Sequence, residues 1–245
     1  MGSNNVLRKW PLTSDDSEPT IIDITEENTS LAVSDSHIVH SAEDGTVTVT
    51  SATTDSFDKL LVRGYLPARS IAFSPDKTWV AVAWDDSKVK VVNFEDNLKI
   101  VTLSEQSAPN LHVVFHPSGN YLSVSCSDGI IYIYSLSSEQ PELVKKVDGI
   151  IPRLTNESDA TAKVVWCPDG RAFAAATATR DIQIVDRTNW EKQRAFAGGH
   201  TADIMDFAFS PNGAFLLSSG KDGKVILWET KTQTVVSRYG YLEIC

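Results

Sequence analysis

The sequence predicts an all-β fold built from repeated short strands, and two observations carry that expectation. A phrase of an aromatic residue, any residue and proline recurs as Phe73-Ser74-Pro75, Phe115-His116-Pro117, Trp166-Cys167-Pro168 and Phe209-Ser210-Pro211, with prolines 42, 51 and 43 residues apart. The residues after each phrase fall into columns without gaps. One reads Val80, Leu122, Phe173, Leu216, and the next reads Asp86, Asp128, Thr179, Asp222. Then come Ser87, Gly129, Arg180, Gly223, followed by Val89, Ile131, Ile182, Val225 and by Val91, Ile133, Ile184, Leu227. A copy upstream supplies Ile38, Asp44, Gly45, Val47 and Val49.

Each element of the repeat has a local reason. Ile71, Val113, Val164 and Phe207 stand two before the aromatic, the period that puts side chains on one face of a strand. Proline ends that strand because it lacks a ladder donor. Ser118-Gly119, Asp169-Gly170 and Asn212-Gly213 then supply turn chemistry. A second apolar strand runs into the Asp-Gly or Asp-Ser pair, a hairpin signal, since these residues tolerate positive φ. The β-branched columns that follow suit a pleated, half-buried third strand. Leu60 to Val62 and Val235-Val236 are candidate fourth strands.

A four-stranded repeat of about 42 residues is the signature of a β-propeller blade. The resemblance to the WD40 class is sharpest in the last copy, with Gly199-His200, Asp222-Gly223 and Trp228-Glu229. That resemblance implies a buried tetrad of His200, Ser218 (or Ser219), Asp222 and Trp228. The other copies lack it, since their tryptophan column reads Thr50, Val92, Tyr134 and Val185. They are expected to rely on packing alone. The expected organisation is a partial first blade with an acidic linker over 1–30, five complete blades over 31–236, and the start of a further blade over 237–245. A chain of 245 residues is only about 5.8 such repeats, whereas seven blades need roughly 294 residues. A truncated seven-blade arc is therefore favoured, with a closed six-blade ring as the alternative.

Composition narrows the function. Lys and Arg number 22 against 32 Asp and Glu, a net charge of −10, which disfavours direct DNA binding by this segment. No apolar run reaches the roughly 18 residues of a spanning helix, and Met1 to Trp10 has no secretory core. Soluble, intracellular character is expected. Cys126, Cys167 and Cys245 have neither disulfide nor metal spacing. His37 and His40 point to opposite faces of a strand, and His112 and His116 would stand about 13 Å apart if extended. There is no Gly-x-Ser-x-Gly elbow and no phosphate-binding glycine loop. No catalytic residue, cofactor, metal or small-molecule substrate is expected.

The chain also resembles a particular family of propellers. The matching features are Val6-Leu7-Arg8-Lys9-Trp10, the acidic Asp15 to Pro19, the enlarged spacing before Trp166 with its loop Ile151 to Asp159, Asp186-Arg187-Thr188-Asn189-Trp190, and Arg238-Tyr239-Gly240-Tyr241. They resemble the N-terminal WD40 propeller of the replisome-adaptor family, which includes the acidic nucleoplasmic DNA-binding protein of animals and the fungal minichromosome-loss and chromosome-transmission-fidelity adaptors. The resemblance implies a nuclear, non-enzymatic scaffold in DNA replication and chromatin. Such adaptors link DNA polymerase alpha and the replicative helicase and support sister-chromatid cohesion. It also implies that those contacts belong to a downstream trimerising region, leaving the propeller as a recruitment module. The alternative is a generic WD40 scaffold of another complex, such as a ubiquitin-ligase adaptor or an RNA-processing particle. Trp84, Trp190 and Arg187 are candidate partner contacts, because binding hot spots favour Trp, Tyr and Arg. Trp79, aligned with Tyr121 and Phe215, reads as core.

Overall fold

The computed structural model describes residues 6–9, 20–23, 28–52, 59–93, 99–103, 105–138, 140–153 and 161–240. The acidic stretch Asp15 to Pro19, most of the enlarged loop before Trp166 and the segment 241–245 lie outside the described residues. Among those described there is no helix. Strands β1 (Val6–Lys9) and β2 (Thr20–Asp23) pair antiparallel as a two-stranded sheet. Repeat 1 comprises β3 (Asn28–Val33), β4 (His37–Ala42), β5 (Thr46–Ser51) and β6 (Lys59–Arg63). Repeat 2 comprises β7 (Ala68–Phe73), β8 (Trp79–Trp84), β9 (Val89–Asn93) and β10 (Ile100–Leu103). Repeat 3 comprises β11 (Asn110–Phe115), β12 (Tyr121–Cys126), β13 (Ile131–Ser135) and β14 (Glu142–Val147). Repeat 4 comprises β15 (Val164–Trp166), β16 (Ala172–Ala176) and β17 (Ile182–Asp186). Repeat 5 comprises β18 (Ile204–Phe209), β19 (Phe215–Gly220), β20 (Lys224–Glu229) and β21 (Thr234–Gly240).

Every repeat is an antiparallel meander in sequence order. The first strands β3, β7, β11, β15 and β18 lie side by side from one repeat to the next. Among the described residues no sheet combines strands from the two ends of the chain, so β1–β2 and β18–β21 remain separate sheets.

Repeat 4 corrects the expectation of a four-stranded unit. Its third strand is followed by a turn in which Trp190 has φ 61°, and the returning segment pairs with β17 as isolated bridges, Val185 to Lys192 and Ile182 to Phe196, and not as a continuous strand. The Gln183 side-chain amide donates to the carbonyls of Ile184 and Gln193. It thus serves oxygens on both sides of the gap and stands where a regular ladder would run.

The core is divided among the junctions between repeats. The second strands of repeats 1 to 4 are buried on both faces, which explains runs such as Val80 to Ala83 with no polar alternation, whereas β19 leaves Phe215 and Leu217 exposed on one face. In repeat 2, Val80 and Val82 pack with repeat 1, while Ala81 and Ala83 pack with repeat 3. Similar clusters join repeats 3 and 4 through Ile131, Ile133, Trp166 and Phe173, and repeats 4 and 5 through Ala174, Ile182, Phe207 and Trp228. Side-chain latches tie the first strands together. Val113 N–H donates to Ser70 Oγ at 3.2 Å, Val164 N–H donates to His112 Nδ1 at 3.4 Å, and Lys163 Nζ pairs with Asp206 at 2.5 Å.

The hairpins follow the column logic. Asp44, Asp86, Asp128 and Asp222 each accept the main-chain N–H two residues on, at 2.8 to 3.2 Å. The residue after the column is left-handed in every copy, including the non-glycines Ser87 (φ 65°) and Arg180 (φ 67°).

Candidate functional site

The side that carries the Asp-Gly hairpins also carries the loops leading into each first strand. In repeat 5 these elements bring four polar side chains together. Asp222 Oδ1 lies 3.1 Å from His200 Nδ1, His200 Nε2 lies 2.7 Å from Ser218 Oγ, and Trp228 Nε1 donates to Ser218 Oγ at 2.9 Å. A carboxylate can only accept, so the His200 proton sits on Nδ1 and the Ser218 hydroxyl donates to Nε2 in the neutral ring. Burial works to raise the Asp222 pKa, but the Thr201 N–H, His200 and the Lys224 N–H outweigh it and leave it lowered. The network spans two strands, the hairpin between them and the incoming loop. Each nitrogen of the His200 ring has a protein partner, so the histidine acts as a structural pin.

Repeats 2 and 3 fill the same place with different chemistry, which corrects for them the expectation that packing alone holds the other copies. In repeat 3, Gln106 stands in the His200 column and Tyr134 in the Trp228 column. Their side chains are hydrogen-bonded at 2.9 Å, and with its amide turned to suit both ends Gln106 also reaches the carbonyls of Leu103 and Ser87. In repeat 2 the His200 column holds Gly64, and Trp84 fills the vacated space, donating from Nε1 to the Gly45 carbonyl at 3.2 Å. A Cβ on Gly64 would fall 2.1 Å from the Trp84 indole nitrogen. Conversely, a Cβ on Gly220, the Trp84 counterpart in repeat 5, would fall 2.6 Å from His200. The two positions are reciprocal in size.

This removes Trp84 from the surface role assigned to it and gives Trp190 and Arg187 internal contacts. Trp84 is 1% exposed, with Lys90 Nζ 5.2 Å from its ring, so it is an internal wedge. Trp190 is half-buried against the cluster joining repeats 3 and 4. Arg187 donates from Nε to the Gly170 carbonyl at 3.1 Å and lies 5.4 Å over the Tyr121 ring, which ties repeat 4 to repeat 3.

One strongly exposed aromatic of this side is a residue that pattern reading passed over. Tyr65, in the loop from β6 to β7, is 89% exposed, beside Leu66, and Lys88 Nζ lies 5.9 Å from its ring. Arg63, Lys90, Asp44 and Tyr65 line a depression of about 450 Å³. The signal was available, because Gly64-Tyr65-Leu66-Pro67 places two apolar side chains in a connecting loop with no strand to bury them.

Among the described residues no three His, Cys, Asp or Glu side chains could share a metal ion. Burial pushes the Cys167 thiol up to about 12, and Cys126 higher still, so neither is a thiolate at neutral pH. Among the described residues, no helix is long and apolar enough to cross a membrane.

Meandering four-stranded sheets set side by side, pinned by a His–Ser–Asp–Trp network, define a β-propeller of the WD40 class. The β-propeller domain of Cps50 (Swd1) from Myceliophteria thermophila shares the fold, with a TM-score of 0.72 at 15% identity, covering 84% of this chain and 66% of that one. The model of the WDHD1 first WD40 domain matches residues 1–244, and the chain belongs to that family. It is 32% identical to minichromosome loss protein 1 of Schizosaccharomyces pombe over 98% of its own length and 29% of the relative's. It is 27% identical to WD repeat and HMG-box DNA-binding protein 1 of Xenopus laevis over 97% of its length and 21% of the relative's. The chain thus spans under a third of the length of these two relatives.

Proposed function

We propose that this propeller is a non-enzymatic protein-interaction module of a nuclear DNA-replication and chromatin adaptor. It serves assemblies that contain polymerase alpha and the replicative helicase and that support sister-chromatid cohesion. The observation that carries the reading is the family match across residues 1–244, joined by relatives named for minichromosome loss and for DNA binding. The chemistry agrees with it. The hairpin aspartates are spent on turns and His200 on its pin, and Tyr65 and Leu66 offer exposed apolar surface beside Lys88, as suits a protein contact. The net charge of −10 argues that contact with DNA is made through other proteins.

Affinity capture from S-phase nuclear extract tests the reading. The wild-type chain is expected to retain replisome or chromatin proteins, and Tyr65→Ala to retain fewer at unchanged thermal stability. Retention of cytoplasmic assemblies alone would overturn it. A companion gel-shift titration at low salt is expected to show no DNA complex.

A further inference from the structure

On the side opposite the Asp-Gly hairpins, the junction of repeats 3 and 4 is closed from within. His116, the middle residue of its Phe-x-Pro phrase, reaches across to the Gly170 carbonyl at 2.8 Å from Nε2. Arg187 donates to the same carbonyl and covers the Tyr121 ring. An imidazole and a guanidinium therefore fill the space over an aromatic floor.

The junction of repeats 2 and 3 has the same backbone and lacks both fillers. Leu136 N–H donates to the Asn120 carbonyl at 2.8 Å, just as Arg187 N–H donates to Arg171 at 2.9 Å, so Leu136 stands in the place of Arg187. Ser74 replaces His116, and its hydroxyl stays inside its own turn, bonded to Asp76 and to the Trp79 N–H. Trp79 takes the place of the Tyr121 floor. The result is an open groove of about 370 Å³ with Trp79 and Val101 among its apolar walls and Asp76 and Lys99 among its charged ones. A Cβ on Gly119, the counterpart of Gly170, would meet only Pro75 Cδ at 3.9 Å, whereas one on Gly170 would fall 2.5 Å from the His116 ring. Among the described residues no donor reaches the Gly119 carbonyl. At the next junction the floor position is Ala172, so repeats 2 and 3 combine an aromatic floor with missing fillers.

We propose that this groove binds an arginine side chain of a partner protein, its guanidinium lying over Trp79 and donating to the Gly119 carbonyl as Arg187 does internally for Tyr121 and Gly170. Tryptophan is the strongest cation–π partner among the aromatic side chains, and arginine is enriched at binding hot spots. Asp76 in the lining and the net charge of −10 favour a cationic segment, and Lys99 in the same lining opposes it. This deepens the protein-binding reading and rests on it for the existence of a partner. The test reads the groove alone, so its failure would leave the capture result untouched.

The probes are acetyl-Gly-Arg-Gly-amide and its citrulline and leucine counterparts, titrated while the Trp79 indole and Gly119 amide resonances are followed by NMR. The arginine peptide is expected to give saturable shifts at both signals. The neutral citrulline peptide is expected to bind about ten-fold more weakly. The double variant Ser74→His with Leu136→Arg grafts the neighbouring fillers into the groove. It is expected to keep its melting temperature and lose the arginine-dependent shifts. Equal binding of the citrulline or leucine peptide, no shift with any peptide, or retained arginine binding in the folded double variant would each overturn the proposal.

Discussion

Repeats 2 and 5 share a backbone and differ in what fills the space between hairpin and incoming loop. Repeat 5 puts a histidine on the loop and a glycine on the second strand, and a serine and a tryptophan complete a hydrogen-bonded chain. Repeat 2 puts the glycine on the loop and the bulk on the strand, where one indole wedge donates a single hydrogen bond to the preceding hairpin. The difference teaches that the fold requires a filled volume at this place, and that the polar chemistry is one of several ways of filling it. Close packing explains the requirement, since a void at a junction forfeits contacts on both walls.

Removing the wedge should have the largest effect. Truncating a buried tryptophan to alanine costs about 3–5 kcal/mol, and Trp84→Gly should cost no less because glycine adds backbone freedom. Adding Gly64→His to that variant recreates the size arrangement of repeat 5 and should restore part of the loss in urea titrations. A double variant no more stable than the single one would show that the two positions are not interchangeable.

Next comes the polar chain of repeat 5. Ser218→Ala keeps the volume nearly constant but strands the Trp228 N–H and His200 Nε2 in a buried site. Each stranded group costs about 1–3 kcal/mol. A loss well below that range in denaturant melts would mean that packing dominates here too, as it does in repeat 2. Repeat 3 sits between the two. Tyr134→Phe should cost about 0.5–1.5 kcal/mol, and a double-mutant cycle with Gln106→Leu should show that the two losses do not add. Full additivity would break the assignment of this pair as the local pin.

The same comparison explains what could be read in advance. The repeat, the hairpin aspartates and the members of the last tetrad lie in columns, and columns are visible in a sequence because each copy is compared with its neighbours. Trp84 misled the reading because its own column, with Cys126, Thr177 and Gly220, says nothing about exposure. The information lay in a second column, where Gly64 stands opposite His200. Reading the pair together gives large opposite small in both repeats and places the indole inside. Gln106 was missed for the same reason, since its partner Tyr134 departs from tryptophan in a column 28 residues downstream. The three-stranded form of repeat 4 was not legible, because it depends on how the Gln183 amide and the turn at Trp190 divert the returning chain.

The smallest expected effect extends the comparison to the first strands. Ser70 and His112 occupy equivalent positions, and each accepts the N–H of the next repeat's strand. Only the histidine titrates. Burial, then the neighbouring Lys163, lowers its pKa from the ordinary 6.5 to about 4, with Asp206 opposing. The unfolded chain therefore binds a proton more readily than the folded one between those values. The His112 contribution is fully present above pH 6.5 and is lost as pH falls toward 4. Below that window the lowered carboxylates, Asp222 among them, contribute a separate acid step. His112→Ser imports the latch of repeat 2, so melting temperatures between pH 6.5 and 4 should fall less steeply in the variant than in the wild type. Identical slopes would assign the acid sensitivity in that window to other groups and leave the two latches equivalent.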